Sequence, residues 1–534
     1  MGGAMVALAL KDLGHSGLLQ QDQAIFPPNL MAESEQECLD TVVKSGSVLA
    51  PWLGVNCTLL LKQDSLACVY PEATAAGSPP PLPIFAVKLE DVVGLKILQD
   101  SPFSSSPSVC RAELCTYQKV KRFISSSYYR KFSTEILEFS DAKDFETNYK
   151  TAKEWRESIQ LQCRKNSRNL FVFSPEQIDR LEPMQLLVII NPFSGRKNGQ
   201  KLFQNIARPM FDLAGAVIVQ EVITERQGHA KEFVETFDLT SITGIVLASG
   251  DGIVYEVING LMARPDWEIA IKTPIGLIPT GSGNALVSSL LYEADEEVHT
   301  CAIENAVFQI INGGIKQHDI ASVCNSSSHS YIGVVIHWGM TGIVDVESEK
   351  LRFLGGKLRN LIGGLVCIVM KRSYYGQLSY LPIEEDETKS PLTEAEGSIH
   401  STNTLKPTTD VGVSDPIPEH WKTIEGNFVI FMALTSSHVT ENDMMCAETK
   451  TGSGKFKILY TFDDVTRGQL LAKLSESTGA VKIENFHEIH TRAFRLNPIS
   501  PCIITVDGEQ IDYGPIQVQM HPGMMRLYSR VRCE

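Results

Sequence analysis

Apolar and polar positions alternate along this chain in two rhythms. Between residues 184 and about 308, bare apolar runs alternate with stretches of helical spacing. Strands are predicted over 186–190, 216–223, 244–248 and 275–278, and helices over 201–213, 229–237 and 253–262. A run without polar interruption is what a strand buried on both faces requires. The strand–helix order predicts a parallel sheet with helices on both faces. Such sheets bind ligands beyond the carboxyl ends of their strands.

After about residue 308 the pattern turns β-rich, with strands predicted over 320–323, 331–336, 428–434, 456–460, 481–487, 503–506 and 516–520. A polar insert over 384–420, which opens on Glu384-Glu385-Asp386-Glu387, has the composition of a disordered loop. Ahead of the α/β part, residues 46–165 carry short alternating runs at 57–61 and 84–89, a Pro-rich break at 79–83 and a Ser-rich loop at 101–108. They predict a small β domain closed by an amphipathic helix around Trp155. Strands followed by one helix carrying a tryptophan resemble a pleckstrin-homology-like module. Lys119, Lys121, Arg122, Arg130 and Lys131 are its candidates for a lipid headgroup, against the alternative of a solvated basic stretch. The expected plan is a weakly structured leader (1–45), this module (46–165), an α/β lobe (183–308) and a β-sandwich lobe (309–534).

Composition narrows the function classes. With 534 residues, 43% hydrophobic and 21% charged, the chain suits two or three folded domains. A net charge of −15 argues against a general nucleic-acid binder. The 12 cysteines form no CxxC pair, so buried thiols are expected and no metal centre is assigned. The longest apolar run, 361–370, is half of the roughly 20 residues a spanning helix needs. The opening MGGAMVALALKDLG lacks the basic start of a secretory signal. The expectation is a cytoplasmic protein that visits membranes peripherally, with a homodimer as the candidate assembly.

Three loops follow apolar strands with phosphate-binding composition: Asn191-Pro192-Phe193-Ser194-Gly195-Arg196-Lys197, Ser249-Gly250-Asp251-Gly252, and Pro279-Thr280-Gly281-Ser282-Gly283-Asn284-Ala285. Glycine lets the backbone approach a phosphate, and loop N–H groups before a helix form an anion site. No GxxxxGK[ST] occurs, and Gly281-Ser282-Gly283 lacks the third glycine of a dinucleotide fingerprint. Asp251 between two glycines is either a helix cap or a proton acceptor for an attacking alcohol. Glu256, one helical turn on, either holds the site, or a metal through water, or is a plain surface residue.

These loops resemble the diacylglycerol-kinase-like catalytic domain, and further stretches resemble the sphingosine kinases within that group. They are Thr224-Glu225-Arg226 with His229-Ala230, Glu256 through Pro265-Asp266-Trp267, Val344-Asp345-Val346-Glu347-Ser348-Glu349-Lys350, Tyr375-Gly376 to Pro382, and Val506-Asp507-Gly508-Glu509. The resemblance spans roughly residues 184–530. It implies ATP-dependent phosphorylation of the primary hydroxyl of a sphingoid base, with Mg2+ held mostly by phosphates and water. It implies Asp251 as the general base. It implies nucleotide contacts from Asn191, Pro192, Ser194, Gly195, Thr224, Ser249, Gly250, Gly252, Glu256, Gly281, Ser282, Gly283, Asn284, Arg352, Arg359, Gly508 and Glu509, and substrate contacts from Asp345 and Ser249. Asp345 matches the carboxylate that receives the substrate ammonium. Two departures stand out. Leu354 to Arg359 carries one extra residue, and His337 stands where small residues are usual and is read as a hydrogen-bonded wall histidine. Leu351 to Met370 is read either as a lid touching the bilayer or as core. The alternatives are a ceramide or diacylglycerol kinase, for which Asp345 has no ammonium to meet, and a non-catalytic membrane adaptor.

Overall fold

The computed structural model describes residues 42–50, 55–70, 83–98, 108–122, 128–167, 183–195, 197–281, 283–312, 314–348, 356–383, 409–441, 443–475 and 482–530. The leader up to residue 41 and residues 384–408 of the insert lie outside the described residues. The chain forms two compact units.

In the first unit a seven-stranded sheet sets Phe85–Lys88, Ser65–Val69, Val55–Lys62, Val42–Ala50, Tyr128–Phe139, Cys110–Lys121 and Val92–Leu98 side by side in that order. Period-2 alternation sends Leu59, Leu61, Leu66, Cys110, Ala112 and Leu114 into one core. Helix Phe145–Ser167 covers that core with Ala152, Trp155 and Ile159, which share a face at helical spacing. Asp144 begins the helix by accepting the Thr147 N–H at 2.8 Å. Gly46 is needed opposite Trp155, because a Cβ there would lie 3.2 Å from the indole.

The second unit includes residues 119–131 and 167–534. Within it, Arg130 is 5% exposed and donates to both oxygens of Glu296 at 2.9–3.0 Å. Lys119 pairs with Asp295, and Arg122 with Glu297. Three of the five basic residues expected to meet a headgroup are thus committed to an acidic turn. A buried guanidinium is stable only when a carboxylate satisfies it.

The strands predicted over 186–190, 216–223, 244–248 and 275–278 are present. Strands Val217–Ile223, Gln185–Ile190, Gly244–Ser249 and Ile275–Pro279 lie parallel in that spatial order. The order reverses between Gln185–Ile190 and Gly244–Ser249, and a crevice opens at the carboxyl ends of such a pair. The helix predicted over 201–213 runs as Gly199–Leu202, a π turn at Phe203–Ala207 and Arg208–Ala214. The π turn absorbs Pro209, which has no N–H to give.

One strand carries the sheet into the β-rich lobe. Ile516–Ser529 sets Leu527 beside Ile275 in the parallel part and pairs antiparallel with Gly314–Cys324 and Ala493–Pro498. Tyr374–Tyr380, Lys422–Leu434, Val335–Gly339, Ile504–Val506 and Glu509–Ile511 extend the sheet. Trp338, Phe428, Phe431, Phe456 and Phe494 fill the core of this lobe.

Four expectations need correction. The strand predicted over 331–336 is two strands, His329–Ile332 and Val335–Gly339, because the N–H groups between them turn to a side chain described below. The strand predicted over 481–487 starts only at His487 and runs to Thr491, since Asn485 at φ +65 cannot continue an extended ladder. Strands Tyr374–Tyr380 and Ala493–Pro498 were not predicted. The last part of the insert is ordered: Arg495 donates to the carbonyls of Asp415 at 2.7 Å and Gly412 at 2.6 Å.

Candidate active site

The three glycine loops meet backbone to backbone at the sheet's carboxyl end. Asp251 N–H donates to Gly283 O at 3.0 Å, Thr280 N–H to Ser249 O at 3.2 Å, and Asn191 N–H to Ala248 O at 3.1 Å. The Ser194 hydroxyl donates to Asn191 O at 2.9 Å and lies 3.1 Å from the Thr280 hydroxyl. A Cβ on Gly250 would stand 2.4 Å from Gly283 O, and one on Gly281 2.5 Å from Gly250 Cα. These two glycines therefore permit contact between loops. Gly252 and Gly508 differ, since a Cβ on either meets nothing within 4 Å. Their open side is where a ligand can approach the backbone.

Asp251 opens helix Asp251–Ala263. Its carboxylate accepts the N–H of Ala285 at 2.7 Å and of Leu286 at 3.2 Å, at the start of helix Ala285–Glu293. Burial pushes its pKa up and the two N–H bonds pull it down, with burial the larger. Asn284 is 1% exposed, and its Oδ1 is sealed without a hydrogen-bond partner.

Glu256 is buried, and it accepts the N–H of Gly228 at 2.9 Å and of Ala230 at 3.0 Å. It thereby caps helix His229–Thr236, whose own cap, Gly228, has no side chain. This fixes the loop that begins at Thr224. Gln227 in that loop donates to Glu509 at 2.6 Å.

Asp507 joins the site although the resemblance implies no role for it. Its carboxylate accepts the N–H of Gly333 at 2.8 Å, Val334 at 3.0 Å and Val335 at 2.8 Å. These bonds interrupt the strand predicted over 331–336. Asp507 at φ +49 and Gly508 at φ +86 form the tight turn between Ile504–Val506 and Glu509–Ile511. The available signal was Asp-Gly between two short β runs.

A cavity of about 650 Å3 gathers these groups. Its wall includes Asn191, Ser194, Gly195, Thr224, Ser249, Gly250, Asp251, Gly252, Glu256, Gly281, Gly283, Asp507, Gly508 and Glu509. The same cavity is lined by Val344, Asp345, Cys367, Ile368, Met432, Leu470, Leu474 and Phe486. These side chains come from helices Met340–Ser348, Gly356–Met370 and Arg467–Ser475, from strand Lys422–Leu434 and from the segment just ahead of strand His487–Thr491. Asp345 accepts the Thr505 hydroxyl at 2.7 Å. His337 also lines the cavity, but its Nδ1 is sealed and has no partner, so it is a wall histidine without the expected hydrogen bond.

Several predicted residues fall elsewhere. Pro192 and Asn284 are in the loops but do not line the cavity. Ser282 and Arg352 lie outside the described residues, as does the side chain of Arg359 in helix Gly356–Met370. Among the described residues no group of three or more His, Cys, Asp or Glu is placed to hold a metal. The cavity wall carries the carboxylates of Asp251, Asp507 and Glu509, a donor set that suits a hydrated Mg2+ held mainly by phosphates.

Residues 185–323 match the family described as Diacylglycerol kinase catalytic domain. The chain is 32% identical over 356 residues to sphingosine kinase 1 of Rattus norvegicus, covering 65% of this chain and 91% of that protein. It is 27% identical over 568 residues to sphingosine kinase 2 of Homo sapiens, covering 83% and 85%. A solved putative diacylglycerol kinase from Bacillus anthracis is 15% identical, with a TM-score of 0.46 over 66% of this chain and 98% of that one.

Proposed function

The chain belongs to the sphingosine kinase family, and from that premise we propose how its cavity phosphorylates a sphingoid base. The activity is ATP-dependent transfer of phosphate to the primary hydroxyl of the base. Asp251 takes the proton of that hydroxyl as its oxygen attacks the terminal phosphorus, the bond from that phosphorus to the bridging oxygen breaks, and ADP leaves. Burial makes Asp251 more basic than an ordinary carboxylate, which suits a proton acceptor near neutral pH. The N–H groups of the glycine loops, with the open sides of Gly252 and Gly508, hold the phosphates. Mg2+, when bound with the nucleotide, supplies charge neutralisation on the phosphates.

Asp345 receives the ammonium of the base, and Thr505 orients the carboxylate for it. The apolar wall takes the hydrocarbon chain. Helix Gly356–Met370 contributes Cys367 and Ile368 to that wall and leaves Leu361, Leu365, Val369 and Met370 exposed. Those residues rest on the surface of a bilayer that the protein visits from the cytoplasm. The seven-stranded unit, closed by a helix bearing Trp155, acts as a pleckstrin-homology-like module.

The observation that carries this reading is that Asp251 and Asp345 line one cavity whose wall runs from the glycine loops to the apolar side chains of Val344, Ile368, Met432, Leu470 and Phe486. The test is transfer of labelled phosphate to sphingosine, ceramide and diacylglycerol in mixed micelles, by the wild type and Asp345→Asn. Sphingosine alone should be phosphorylated. Loss of a charged hydrogen bond should lower kcat/KM of the variant about 10- to 100-fold. Equal transfer to ceramide or diacylglycerol would overturn the substrate assignment.

A further inference from the structure

His337 is a polar residue in an apolar stretch of wall, and the mechanism above does not use it. On strand Val335–Gly339 it stands opposite Thr505 on one side and Met432 on the other. Cross-strand partners share a face of the sheet. On this face Thr505 donates to Asp345, and Met432 lines the cavity. The neighbour Trp338 points the other way, into the core of the β lobe. The fold therefore delivers the imidazole to the part of the cavity that holds Asp345.

The ring is unsatisfied there. Nδ1 is sealed from solvent and has no hydrogen-bond partner. Asp345 influences the ring through its charge, while its carboxylate accepts the Thr505 hydroxyl. A buried imidazole nitrogen without a partner is a standing cost that a correctly placed ligand group removes. The protein supplies no such group, and the sealed Nδ1 reaches one in the cavity only if the ring, which lines it, turns. A half-turn about χ2, a broad and nearly two-fold torsion, presents either edge of the ring to the cavity.

We propose that His337 is a specificity residue that hydrogen-bonds the secondary hydroxyl on C3 of the sphingoid base, next to the ammonium-bearing carbon held by Asp345. This rests on the reading of Asp345 given above. A sphingoid base presents its reacting hydroxyl, its ammonium and this second hydroxyl on three successive carbons. A site that holds the first at Asp251 and the second at Asp345 must meet the third close by. Burial depresses the imidazole's pKa and outweighs the pull of Asp345, so the ring is neutral and both donates and accepts. A neutral ring also avoids repelling the ammonium beside it.

The test compares sphinganine with 2-amino-octadecan-1-ol, which keeps the reacting hydroxyl and the ammonium but lacks the C3 hydroxyl. Wild type, His337→Ala and His337→Gln are assayed with both, and thermal unfolding of each variant verifies the fold. Wild type should favour sphinganine by about tenfold or more in kcat/KM. His337→Ala should bring the two substrates within about twofold of each other by losing activity on sphinganine alone, and His337→Gln should restore part of the preference. An equal fall on both substrates, or no preference in the wild type, would overturn the assignment. If Asp345→Asn leaves turnover of both amino alcohols unchanged, the reading of Asp345 fails and this one with it.

Discussion

Asp251 and Asp507 are two carboxylates that line one cavity, and both accept from backbone N–H groups: two for Asp251 and three for Asp507. Burial and, to a smaller extent, the charge of Asp251 push Asp507 up to about 7 against the pull of its N–H bonds. Asp251 must be ionised to accept a proton, so kcat should fall as pH drops. Asp507 is protonated below about 7 and so carries no charge over a limb below that pH, and Asp507→Asn should leave the limb in place in a pH–rate profile. A limb that moves would show that Asp507 is charged while Asp251 titrates. The linkage has a definite sign. A folded pKa of about 7 against the ordinary 3.8 means that Asp507's contribution to stability is full below pH 3.8 and is lost as pH rises to about 7. Thermal unfolding between those limits should show the wild type losing ground to Asp507→Asn as pH rises.

Gly250 and Gly252 flank Asp251 but serve different ends. Gly250→Ala places a Cβ 2.4 Å from Gly283 O, so two loops must separate, and stability should fall by roughly 1–3 kcal/mol. Gly252→Ala meets nothing within 4 Å. It should unfold within about 0.5 kcal/mol of the wild type while raising KM for ATP. Denaturant melts paired with ATP kinetics separate the two. Equal effects of both variants would contradict the assignment of Gly252 to the ligand side.

The exposed face of helix Gly356–Met370 gives a prediction about presentation of the substrate. Val369 is 71% exposed and Leu365 41%. Leu365→Glu with Val369→Glu should reduce phosphorylation of sphingosine in vesicles by about tenfold or more, since burying charge at a bilayer interface is costly. Activity on sphingosine carried in detergent micelles or by a soluble carrier should change little. An equal loss in both formats would place this face in catalysis or folding instead.

Much of the site was legible because its chemistry is local. Asp251 and its glycines stand in one loop after an apolar run, and Glu256 follows at one helical turn. What escaped depends on distant parts of the chain meeting. Asp507 looks like an ordinary hairpin residue until its carboxylate is seen holding Gly333, Val334 and Val335. Arg130 looks like a surface cation until Glu296 reaches it. His337 looked satisfied because burial usually brings a partner, and here its Nδ1 has none. The strand Ala493–Pro498 was hidden by Arg495, a charge on a buried strand that Gln517 and two carbonyls satisfy.

The central claim is that Asp251 accepts the proton of the attacking hydroxyl. The most direct test is Asp251→Asn, measured for kcat with sphingosine and, separately, for ATP affinity by calorimetry. Losing a general base should lower kcat by about 100- to 10,000-fold, while ATP affinity stays within about threefold because the loops that hold it are unchanged. A variant that keeps kcat within tenfold of the wild type would contradict the account.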